Sequence, residues 1–104
     1  QLFQSQIFFM LYSNKLLFMN INELIVIVKS KIEAEIVMQD FKIEDKSFLH
    51  KNHKGNQEGM FHLKLIIKSD ELKKLNKIES TKKIYNILDH ELKEHIHSIQ
   101  ILLS

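Results

Sequence analysis

The chain contains no cysteine, no proline, no tryptophan and no arginine, and only two glycines in 104 residues. Each absence excludes something. Without cysteine there is no disulfide, no thiol nucleophile and no zinc ribbon, and no iron–sulfur cluster can rest on the chain's own thiolates. Without arginine there is no planar fork for phosphate or guanine, and all 15 basic residues are lysine. The net charge is only +2, so no strong global field draws the chain to nucleic acid or anionic membrane. No stretch offers the ~20 mostly apolar residues of a transmembrane helix. No G-x-S-x-G, no P-loop and no carboxylate pair framed by apolar residues occurs, and the chain reads as a non-enzyme.

What is present has the balance of a globular domain. The apolar fraction is 44 % and the charged fraction 27 %, at a length that fits one domain. Residues 1–19 carry one charge, Lys15, and read as a separate N-terminal arm, either a targeting sequence or a disordered extension. Residues 20–104 then form the folded unit. All six histidines lie in its second part: His50, His53, His62, His90, His95 and His97.

Periodicity gives the element order. Ile21, Leu24, Ile25, Val28 and Ile32 share one helix face, with Asn20 and Glu23 as a capping pair, which predicts a helix over 20–32. The run Leu24 to Val28 is rich in β-branched residues and pulls the other way, but capping and spacing favour helix. Alternation predicts strands over 35–43, 61–68 and 96–103. The polar segment 45–59 holds both glycines and reads as a long loop. Ile84, Ile87, Leu88 and Leu92 predict a helix over 80–94 with Ser80 as its N-cap. The order is α-β-β-α-β, an α+β domain whose three-stranded sheet is covered on one face by helices.

From Asp45 to Leu102 the chain resembles the BolA family. The matching pieces are Ser47-Phe48-Leu49-His50, the strand Phe61 to Ser69, the helix segment Ile84 to Leu92 with Tyr85 and Glu91-Leu92, and Ile96-His97-Ser98-Ile99. The resemblance implies a fold similar to class II KH domains without their G-x-x-G loop. It implies an intracellular adaptor, of mitochondrion or cytosol, that pairs with a monothiol glutaredoxin and shares a bridging 2Fe–2S cluster. Bacterial members have also been viewed as transcriptional regulators. Two places depart from the family pattern. Ser80-Thr81-Lys82 stand where the family has an R-H-R triplet, and Lys74 where it has a glycine. Both weigh against roles that depend on the basic triplet, chiefly nucleic-acid binding.

On that resemblance His97 is the expected metal ligand from this chain, with His50 as the second and His53 as its substitute. Imidazole replaces thiolate on one iron of Rieske-type centres, so nitrogen donors here and sulfur donors from a partner make a consistent set. Taken without the resemblance, His97 reads as a helix-terminal histidine and the loop pair as solvated side chains. His62 is expected to be a hydrogen-bonded structural histidine and His90 a surface one. His95 forms H-x-H with His97 at the fraying end of the helix. Glu91 reads as a solvated helix residue. The alternative function is a KH-like nucleic-acid-binding regulator using Lys73, Lys74, Lys77, Lys82 and Lys83, against which stand Asp70, Glu71 and Glu79.

Overall fold

A computed structural model describes residues 19–47 and 60–104. Along them run α1 (Ile21–Glu35), β1 (Asp40–Asp45), β2 (Phe61–Lys68), α2 (Asp70–Lys73), α3 (Lys77–Ile87), α4 (Asp89–Glu94) and β3 (Ile96–Leu103). The conflict within Leu24 to Val28 resolves as helix. Asn20 accepts the Glu23 backbone N–H at 2.9 Å, and its amide donates back to Glu23 Oε1 at 3.2 Å. Leu24, Val28 and Ile32 are buried while Val26 is 63 % exposed, a split that only a helical period produces.

The helix runs three residues past the expected end. The strand expected over 35–43 therefore begins only at Asp40. Ile36 closes α1, donating its N–H to Ile32 O at 2.9 Å, and its side chain is buried in the core. Ile36 and Met38 both pack toward the core, and that spacing of two imitates a strand.

The sheet order is β1-β2-β3, antiparallel between β1 and β2 and parallel between β2 and β3. A parallel pair needs a long crossover, and α2 to α4 supply it. Leu63, Leu65 and Ile67 of β2 are buried in one cluster with Leu24, Val28 and Ile32 of α1 and Ile84 and Leu88 of the crossover. Glu44, Lys64 and Gln100 stand in register on the other face, with Lys42 beside Glu44. One face is thus covered by helices, and the other carries these polar side chains together with Ile66 and Leu102.

The crossover differs from the single expected helix. Its main helix starts at Lys77, capped by Asn76, whose side chain accepts from Glu79 N at 2.8 Å. Ser80 is not the cap. It is buried inside the helix and donates its hydroxyl to Leu72 O at 3.0 Å. The helix breaks at Leu88 (φ −99°, ψ 19°), and α4 continues from Asp89. The short α2 was not visible in the periodicity. Ser69 caps it, accepting from Leu72 N at 3.1 Å and donating to Val37 O at 2.7 Å, which ties the crossover to the segment before β1.

Candidate metal-ligating site

The site forms where β3 starts. Phe61 pairs with Ile96 and His62 with Ser98, so His97 is the extra residue of a bulge. Bulges re-aim side chains, and the His97 side chain is exposed. Its ring lies 4.9 Å from the His62 ring, tilted by 45°. His62 is buried, with Nδ1 2.6 Å from Ser98 Oγ. Its backbone N–H donates to Ser47 Oγ at 3.0 Å, and its carbonyl accepts from Lys46 N at 2.7 Å. His62 is thus the hydrogen-bonded structural histidine that the strand pattern predicts, and it forms the floor against which His97 rests.

The other expected ligands, His50 and His53, lie outside the described residues. Ser47, three positions before His50, is anchored to the backbone of His62. The described residues bring no three metal-ligating side chains together.

His95 departs from expectation. It caps α4, donating its N–H to Glu91 O at 2.8 Å, but it does not sit at a solvated, fraying end. Only 7 % of it is exposed, and its Nε2 has no hydrogen-bond partner among the described residues. Burial pushes its pKa down, the nearby His90 pushes the same way, and Glu94 and Glu91 oppose. The His90 ring stands edge-on at 6.2 Å and is exposed. His95 and His97 therefore do not form the H-x-H ligand pair that their spacing allows, because one is buried and the other faces solvent.

Sequence reasoning missed Glu91. It is 1 % exposed, and Lys31 of α1 donates to both its oxygens at 2.9 and 2.7 Å. A signal was present: Ile84, Leu88 and Glu91 fall at i, i+4 and i+7, so Glu91 shares the buried face. The pair pins α4 to α1 just ahead of the bulge that carries His97.

The lysines of the alternative reading gather at the α2–α3 turn. Lys73 ends α2, Lys74 caps it, Lys77 opens α3, and these three and Lys82 are exposed. Lys83 is half-buried and paired with Glu71 at 3.4 Å. Glu71 also accepts the Val37 N–H at 2.7 Å. That backbone bond, with Lys83 beside it, holds the Glu71 carboxyl below the usual carboxylate range. Lys83 is thus engaged in the fold, and the other four project from it.

Residues 32–104 match the model of the family described as BolA-like protein, and the chain belongs to that family. It is 31 % identical over 77 residues to the DNA-binding transcriptional regulator BolA of Haemophilus influenzae, covering 74 % of this chain and 72 % of the relative. It is 28 % identical over 80 residues to SufE-like protein 1, chloroplastic/mitochondrial, of Arabidopsis thaliana, 72 % of this chain but only 22 % of that longer protein. The solved BolA domain of SufE1 from Arabidopsis thaliana superposes with a TM-score of 0.63 at 28 % identity, over 74 % of this chain and 85 % of the domain. BolA1 from the same plant shows the same fold, with a TM-score of 0.62 at 24 % identity, over 74 % of this chain and 85 % of that one. No helix among the described residues is long and apolar enough to cross a membrane.

Proposed function

We propose that this chain is an adaptor that binds a monothiol glutaredoxin and contributes histidine ligands to a shared 2Fe–2S cluster, serving iron–sulfur trafficking or iron regulation. The observation that carries the reading is the bulge at His97, which presents an imidazole to solvent on a fixed strand end, backed by the buried His62. The donor chemistry fits such a group. His97 offers nitrogen, the chain has no thiolate, and the sulfur ligands come from the partner and from glutathione. His50 is the second ligand and His53 its substitute. Ser47, three positions before His50 in the sequence, is held beside His62, and His50 and His53 themselves lie outside the described residues. Bound there, the cluster supplies transferable iron and sulfide, and the chain itself acts as a ligand donor and not as a catalyst.

The test is anaerobic reconstitution with a monothiol glutaredoxin, iron, sulfide and glutathione, read by visible absorption and circular dichroism. A heterodimer spectrum distinct from that of the glutaredoxin homodimer, and lost in His97→Ala, is expected. An unchanged homodimer spectrum with no complex on size exclusion refutes it. The second reading is nucleic-acid binding through Lys73, Lys74, Lys77, Lys82 and Lys83. The name of the Haemophilus relative, the exposed Lys73, Lys74 and Lys77 at the α2–α3 turn and the exposed Lys82 on α3 favour it. Salt-sensitive DNA binding that survives His97→Ala but is lost on neutralising the lysines selects this reading over the adaptor.

A further inference from the structure

The two edges of the sheet are built differently. β1, with the sequence DFKIED, lines its edge with Asp40, Lys42, Glu44 and Asp45. Charges of this kind keep an edge strand from pairing with other chains. β3, with the sequence IHSIQILL, has eight residues and neither a formal charge at neutral histidine nor a proline or glycine. It pairs with β2 on one side, and no described strand covers the other. The ladder identifies its open groups. Just past β3, Ser104 donates to Ile67 O at 2.9 Å and accepts from Ser69 N at 3.1 Å. Alternate residues of a parallel strand bond to the same neighbour, so Ile99, Ile101 and Leu103 turn their N–H and C=O to the outer edge.

A cavity of about 490 Å³ opens beside that edge, between the end of β3 and the α2–α3 turn. Its apolar wall includes Leu72, Leu75, Ile101 and Leu103, its cationic groups are Lys73 and Lys77, and no acidic residue lines it. Strand addition draws affinity from main-chain hydrogen bonds and specificity from pockets that take alternate side chains. The edge and the cavity together supply both.

We propose that the outer edge of β3 and the adjoining cavity form a docking groove for an extended acidic peptide segment of a partner protein, which adds as a fourth strand and places an apolar side chain in the cavity. The outward N–H and C=O groups of Ile99, Ile101 and Leu103 bond its backbone. Lys73 and Lys77, the charged side chains among the described lining residues, select its acidic residues. The groove lies toward the far end of β3 from His97, and it stands or falls independently of cluster ligation.

The experiment uses the full chain, isotopically labelled, titrated with a synthetic extended peptide that carries leucine for the cavity and glutamate two positions away, so that both side chains share one face. Two control peptides replace glutamate by lysine, or carry N-methyl groups on the residues that face β3. The expected result is amide shifts and slowed exchange centred on Ile99, Ile101 and Leu103. Binding weakens about tenfold or more with either control peptide and with Lys73→Glu/Lys77→Glu, both exposed positions whose fold is checked by thermal melting. Shifts that leave β3 untouched, or binding indifferent to N-methylation, overturn the proposal. So does concentration-dependent self-association through β3 that the peptide does not compete away, which assigns the edge to a second copy. An oligonucleotide that binds the lysines while the peptide does not also overturns it.

Discussion

Removing Lys31 should destabilise the domain more than removing Glu91, although both break the same pair. Lys31→Met leaves the Glu91 carboxylate in place, with only 2 % of that side chain exposed and both oxygens deprived of their donor. Leaving one partner of a fully buried pair uncompensated costs ~3–5 kcal/mol. The Lys31 side chain is itself 40 % exposed, so water can partly replace its ammonium. That lowers the expected cost to about 2 kcal/mol, or roughly 10 °C in melting temperature for a domain of this size. Glu91→Met leaves a lysine whose stem can follow the surface while its head stays in water, and should cost less than about 1 kcal/mol. The double variant should lie near the parent, since apolar replacement of a buried pair is often neutral. Urea unfolding followed by far-ultraviolet circular dichroism at pH 7 measures all four proteins. Equal costs for the two single variants, or a Lys31→Met cost below about 0.5 kcal/mol, would show that water reaches Glu91 and that the pair does not pin α4.

Further outcomes follow from other contacts. Ser69→Ala removes both the α2 cap and the bond to Val37 O, and should cost about 2 kcal/mol in urea unfolding, against about 1 kcal/mol for Asn20→Ala at the exposed cap of α1. His97→Ala, at an exposed bulge position, should leave the melting temperature within about 2–3 °C of the parent, so that loss of a complex in that variant is not loss of fold. The Glu71 carboxyl is held below its unfolded value, so its contribution is present above the ordinary carboxylate range and is lost as pH falls through it. The gap in urea midpoint between parent and Glu71→Gln should therefore narrow from pH 7 to pH 3, and an unchanged gap refutes the role given to the Val37 bond.

The sequence by itself determined the order of the main elements, the span of β2 and β3, and the capping pair of α1. These are local matters: alternation of Leu63, Leu65 and Ile67, a period of 3.6 through Leu24, Val28 and Ile32, and an asparagine three residues ahead of a glutamate. The motif around His97 was legible only through its resemblance to the BolA family; by itself the residue read as a helix-terminal histidine. Tertiary structure decided the rest, because burial depends on what arrives from elsewhere in the chain. Ile36 ends a helix instead of starting a strand because Ile32 O and the core take it up. Ser80 is a buried donor because Leu72 O lies beside it, and the cap falls to Asn76. Glu91 is buried because Lys31, sixty positions away, reaches both its oxygens. His95 and His97 share a spacing but not a surface, because the bulge against Phe61 and His62 turns His97 outward while His95, at the end of α4, is buried. A register shift between two strands is a property of their pairing, and neither strand carries it alone.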